Sequence, residues 1–170
     1  MDFIRTSILL MLVASCFTAF EGPTIINLTH PPYKMAMSDD GSIIVMTYST
    51  LKDAEVFVKA IDGFVLGESL PSSIGAQNVA ISTDNSIVLD VVGVGAVKYY
   101  TRAPNGNYQV AQTLSPPTNI MDVKICSNER FIAVASDSNS LSLYEKTTTT
   151  YSLSATESCS AGFPRAGCLQ

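Results

Sequence analysis

The 170-residue sequence contains no tryptophan and a single histidine, His30. One imidazole is too few for a histidine-rich metal site and argues against a histidine-based catalytic triad. His30 sits in Thr29-His30-Pro31-Pro32, and neither G-x-S-x-G nor H-E-x-x-H occurs, so it reads as a loop residue. Basic side chains are also scarce. Ten Lys and Arg face fifteen Asp and Glu, for a net charge of −5 and a pI near 4.7. That balance excludes a nucleic-acid partner, which needs a basic patch against phosphate. Charged residues reach only 15%, against roughly 25% in ordinary globular domains. No C-x-x-C pair, phosphate loop in a strand–glycine–helix context, or acidic calcium loop is present, so no catalytic residue, cofactor or metal site is assigned. What the chain does have is apolar substance: 46% hydrophobic residues and a mean hydropathy of +0.25, enough to build a core.

The apolar content begins at the N-terminus. Arg5 precedes an uncharged run, Ile8 to Phe20. Such a run is shorter than the roughly 20 residues that cross a bilayer. A charged start, an apolar stretch and then small residues describe a secretory signal peptide, expected over 1–16 with an end as late as 22. Val13-Ala14-Ser15-Cys16 also resembles a bacterial lipoprotein box, which makes lipid anchoring through Cys16 the alternative to free secretion. Export gives meaning to Asn27-Leu28-Thr29, the one N-x-Ser/Thr sequon, with Asn27 as glycan acceptor. It also fits Cys159 and Cys168, which stand in a Ser/Gly/Pro-containing tail and are the candidates for a disulfide. Cys126 lies in an alternating apolar stretch and reads as a small buried hydrophobe.

Beyond the leader the sequence repeats. Met35–Ser49, Val79–Gly93 and Val123–Asp137 align without gaps at a spacing of 44 residues. Met37, Ile81 and Ile125 fall in one column, Asp40, Asp84 and Asn128 in another, and Ile44, Val88 and Ile132 in a third. Each unit holds four short alternating segments. The first two are joined by Asp/Asn/Gly-rich turns such as Asp39-Asp40-Gly41-Ser42, whose residue types tolerate positive φ. No 12-residue window after the leader has helical periodicity with caps.

Four strands in about 40–45 residues is the period of a propeller blade. The units resemble WD-repeat-type blades, with Ser82-Thr83-Asp84-Asn85 where those have Ser-Pro-Asp-Gly. Unit two is also similar to FG-GAP-like blades through Val79-Ala80-Ile81-Ser82 and Gly95 to Arg102. The resemblance implies an all-β fold, a partial β-propeller of three four-stranded antiparallel blades. The expected organisation is a strand or loop over 23–32, blades over 33–77, 78–121 and 122–157, and an irregular tail over 158–170.

Three blades at 44 residues account for most of the chain beyond the leader, whereas closed propellers have four to eight blades. Self-association or completion by another chain is therefore expected. The repeat, without a catalytic constellation, predicts a secreted or cell-surface binding scaffold for protein or glycan. Its contact loops would be 49–53, 71–77, 93–95, 115–119 and 137–139. The alternative is a piece of a longer propeller hydrolase or oxidoreductase with Asp90 or Asp122 at a central channel, or a truncated product without its own function. Phe57, Tyr99 and Tyr100 are candidates for a ligand-stacking surface, with at least one of the two tyrosines expected to be packing.

Overall fold

The protein is described by a computed structural model that covers residues 26, 28, 30–48, 53–71, 75–91, 95–116 and 119–158. Asn27, Cys16, Cys159 and Cys168, with the leader and tail, lie outside the described residues. Twelve strands form three antiparallel four-stranded sheets, each in sequential order. The first blade comprises β1 (Lys34–Met37), β2 (Ile43–Thr47), β3 (Asp53–Ala60) and β4 (Gly63–Pro71). The second comprises β5 (Val79–Ile81), β6 (Ile87–Val91), β7 (Ala96–Arg102) and β8 (Tyr108–Leu114). The third comprises β9 (Ile120–Ile125), β10 (Phe131–Ser136), β11 (Ser140–Thr147) and β12 (Thr150–Ser158). The chain is all-β, a partial propeller-like fold. The first strands of the blades, β1, β5 and β9, are neighbours, which places them on the inner side of the arc.

The turns that open the blades explain why the 44-residue period is so regular. In the first, Asp40 Oδ1 accepts from Ser38 Oγ (2.6 Å) and from the Ser42 backbone N–H (3.0 Å). Asp84 repeats this with Ser82 Oγ and the Ser86 N–H (3.2 Å), and Asn128 with Cys126 Sγ and the Arg130 N–H (3.1 Å). Each turn then needs a left-handed residue, supplied by Gly41 (φ 67°), Asn85 (φ 67°) and Glu129 (φ 56°), again 44 apart. Cys126 is thus not the buried hydrophobe expected. It is half-buried and takes the role of Ser38 and Ser82, its Sγ accepting the Phe131 N–H at 2.9 Å.

A Cβ on Gly41 would meet no heavy atom within 4 Å. The cost of Gly41→Ala is therefore conformational only, and we expect about 1 kcal/mol in urea unfolding.

Blades pack face to face through two continuous cores. Between blades one and two lie Ile43, Val45, Val56, Leu70, Val79, Ile87, Leu89 and Tyr100. Between two and three lie Val88, Val97, Tyr99, Leu114, Val123, Ile132, Val134, Tyr144 and Tyr151. One column of the gapless alignment needs correction here. Met37 pairs with Ile44 and Ile125 with Ile132, but Ile81 pairs with Ile87, not Val88. The turn between β5 and β6 is one residue tighter than its counterparts. Because side chains alternate, that single residue exchanges the two faces of β6. It sends Ile87 and Leu89 into the first core and Val88 into the second. Asp90 thereby avoids the first core and reaches a polar partner at the inner end of the blade.

Candidate axial site

Lys34, Asn78 and Asp122 are 44 residues apart and occupy one position of the repeat, near the start of each inner strand. The three side chains meet. Lys34 Nζ donates to Asn78 Oδ1 at 2.8 Å and to Asp122 Oδ1 at 2.6 Å. Lys124 Nζ stands 3.9 Å from the other Asp122 oxygen. Asn78 Nδ2 donates to Asp90 Oδ2 (2.8 Å), and Asp90 Oδ1 accepts the backbone N–H groups of Gln77 and Asn78, both at 2.7 Å. Asp90 and Asn78 are buried, whereas Lys34 and Asp122 keep about a third of their side-chain surface (35% and 29%). The cluster therefore has a closed base, Asn78 and Asp90, and an accessible ion pair above it. Buried Thr47 closes one flank, with Oγ1 3.3 Å from the carbonyls of Lys34 and Gln77.

Chain topology puts this cluster at the loop end of the blades. Lys34 pairs with Thr47 at the end of β2, the Asp90 N–H bonds to the Asn78 carbonyl, and Ser136 pairs with Ile120. The connections 49–53, 71–77, 93–95, 115–119 and 137–139 leave from these same strand ends. Of these, 137–139 lies wholly within the described residues. There Asn119 Nδ2 donates to Asp137 Oδ2 at 2.9 Å, and Asn139 adopts φ 57°, at the repeat position of Gly95 (φ 58°).

A second polar cluster lies at the opposite end, between blades two and three. Glu129 is buried and accepts from Ser82 Oγ (3.0 Å), Tyr99 Oη (3.1 Å to Oε2) and Lys146 Nζ. Burial would raise its carboxyl, but hydrogen bonds with Asp84, Lys146, Ser86 and Ser82 hold it down at about 2. Burial would likewise lower Lys146, and Glu129 and Tyr99 outweigh it and raise the ammonium. Tyr151 donates to the Glu129 carbonyl at 2.6 Å and meets the Tyr99 ring edge-on at 5.0 Å. Ser82 and Tyr99 of blade two thus close on Glu129, Lys146 and Tyr151 of blade three, so the cluster is a latch rather than an opening.

The structure separates the other residues singled out in the sequence. Tyr99 and Tyr100 are both packing residues: each is 1% exposed, and they point into different inter-blade cores. Phe57 is buried on the outer face of blade one with Ile44, Met46 and Tyr48. None of the three offers a stacking surface. Asp122 belongs to the accessible part of the axial cluster and Asp90 to its buried base. Motif reading does not find Lys34 and Asn78. The signal available is their shared repeat column, which carries three different polar side chains ahead of the apolar column Met35, Val79 and Val123.

No protein-family model matches this chain, and no curated protein matches it. Solved structures do. A protein from Lactobacillus plantarum superposes with a TM-score of 0.65 at 14% identity, over 82% of this chain and 46% of its own length. A "putative 6-phosphogluconolactonase" from Bacteroides fragilis gives 0.63 at 14% identity, over 72% and 37%. Hydrazine synthase from Kuenenia stuttgartiensis gives 0.64 at 12% identity, over 84% and 40%. At these identities the likeness is one of fold, and it is to β-propeller-like structures. The chain spans less than half the length of each of these three proteins.

Proposed function

We propose that this chain is an exported propeller-type binding module that takes a protein or glycan ligand on its loop end, around Lys34 and Asp122. The observation that carries this reading is the internal satisfaction of the axial cluster. Lys34, Asn78, Asp90 and Asp122 bond to one another and to backbone amides at 2.6–2.8 Å. A general acid or base needs a proton-exchanging group aimed at substrate. A half-accessible ion pair on a rigid base is better suited to hydrogen-bonding polar groups presented from outside, as sugar hydroxyls or peptide amides are. The loop end also carries five connections, two between blades and three within them, and loops are where a rigid scaffold places its contacts. Export rests on the N-terminal leader and on Asn27. Lipid attachment at Cys16 would hold the same module at a membrane.

The test is a glycan array run beside a panel of immobilised extracellular-matrix proteins. Binding to at least one ligand is expected, weakened about tenfold (about 1.4 kcal/mol) by Asp137→Ala and by Lys34→Met. Unchanged binding in both variants, or no binding to either panel, contradicts the proposal.

One observation favours a second reading. Asp122 and Lys34 form a carboxylate–ammonium pair on the inner strands, and one fold neighbour bears a sugar-lactonase name. A hydrolase would turn over 6-phosphogluconolactone and lose that turnover in Asp122→Asn. Absence of turnover above the uncatalysed rate removes this reading.

A further inference from the structure

Each inter-blade interface uses the same five positions on the blade that comes second in the pair. Blade two contributes Val79, Ile81, Ile87, Leu89 and Tyr100, and blade three contributes Val123, Ile125, Ile132, Val134 and Tyr144. The strand registers place Met35, Met37, Ile44, Met46 and Phe57 at these positions in blade one. Blade one thus carries a complete interface face that no blade covers among the described residues. Ile26, Leu28 and Phe64 cover its outer part, around Ile44, Met46 and Phe57. Its inner part stays open: Tyr33 (59%), Met35 (59%) and Met37 (60%) are more than half exposed, as is Leu66 (54%) on the outermost strand β4. Tyr33, Met35 and Met37 alternate along one face of the chain, and Leu66 pairs with Phe57 at the outer edge of the same sheet.

The opposite end of the arc is built differently. On the outward face of blade three, Lys124 stands opposite Ala133 and Glu157 opposite Leu141. The matching positions in the buried interfaces are Ala36 and Ala80 for Lys124, and Leu70 and Leu114 for Glu157. A second copy docking head-to-tail would bury that lysine and that glutamate against a methionine face, at the cost of desolvating both charges. The apolar face of blade one finds no match in a face that sets Lys124 and Glu157 beside its alanines and leucines, so it is left to match itself. A patch that pairs with its own copy gives a closed twofold dimer. Flexible methionines suit such a contact, because they adapt to a surface not shaped as a knob and a hole.

We infer that the protein is a twofold homodimer joined through the outer faces of its first blades, with Tyr33, Met35 and Met37 at the centre of the contact. The two loop ends then present two copies of the ligand surface. The test is sedimentation equilibrium of the full chain, wild type and variants. Wild type should dimerise. Met35→Lys with Met37→Lys places four like charges across the twofold axis and should weaken the dimer at least about 100-fold, with the far-UV circular dichroism unchanged. Met121→Lys, at a comparably exposed methionine of blade three (52%), should leave it intact.

Peroxide footprinting supplies a measurement that needs no variant. Raising the protein concentration should slow oxidation of Met35 and Met37 but not of Met121. A monomeric wild type, a dimer that survives the double lysine variant, or a dimer broken instead by Glu157→Arg on blade three, at an exposed residue, overturns the proposal. So does concentration-independent oxidation of Met35 and Met37.

Discussion

Replacing Asp90 by alanine should destabilise the fold by about 3–5 kcal/mol, measured by urea unfolding near neutral pH. Asp90 is 3% exposed and accepts three hydrogen bonds, two from the backbone N–H groups of Gln77 and Asn78 and one from the Asn78 amide. Alanine strands all three donors in a site with little solvent. Each unsatisfied buried donor costs roughly 1–3 kcal/mol, so the sum exceeds what the loss of one carboxylate's packing would give. Asp90→Asn separates the terms. Its remaining oxygen can serve the two backbone donors, but its amide nitrogen then confronts Asn78 Nδ2, and about 1–2 kcal/mol is expected. A loss under about 1 kcal/mol for Asp90→Ala would mean that these amides are solvated and the axial cluster has no closed base.

The second large effect is at Glu129 and depends on pH. Lys146→Met removes the cation from a buried carboxylate and should cost on the order of 3 kcal/mol at pH 7. The sign with pH is set by the direction of the shift. The Glu129 carboxyl is held at about 2, below its ordinary 4.5. Its contribution is therefore fully present above pH 4.5 and is lost as the pH falls toward 2. Asp40, also held at about 2 by Ser38 and Ser42, titrates in the same window. The comparison is therefore between wild type and Glu129→Gln. Wild type should lose more stability than the variant between about pH 5 and pH 2, and the two curves should converge at the acid end. Parallel curves would mean that Glu129 is not part of a charged latch. Glu129→Gly would relieve the positive φ of 56°, yet the lost hydrogen bonds should keep it less stable than wild type.

The period and the turns are legible in the sequence because the same chemistry recurs in each unit. A Ser or Cys at position one, an Asp or Asn two residues later and a φ-tolerant residue next are all demanded by one hydrogen-bonded turn. Four strands per unit can be read from their alternation, and the three-sheet architecture from the count of units. The slip in β6 is not legible. Ile87–Val91 (IVLDV) is buried on both faces, so its apolar residues carry no parity, and only Asp90 marks which face must be polar. The axial cluster is hidden for a related reason. Lys34, Asn78 and Asp122 share a repeat column but no residue type, and comparison by similarity passes over a column whose members are complementary. Glu129 escapes notice because glutamate is an unusual choice at a left-handed position that Gly41 and Asn85 fill more comfortably. Tyr99 and Tyr100 are readable as a packing pair only in part. Alternation sends one to each face, and the presence of a blade on both sides buries both.

The inner strands of the first and third blades both pack against β5, and the side chains of Lys34 and Asp122, 88 residues apart, bridge the two across it. The decisive measurement is a double-mutant cycle in urea unfolding with Lys34→Met and Asp122→Asn. A direct contact of a partly buried ion pair predicts a coupling of about 1–3 kcal/mol. Single-variant effects that add within about 0.3 kcal/mol would show that the two side chains do not meet, and would contradict the axial site.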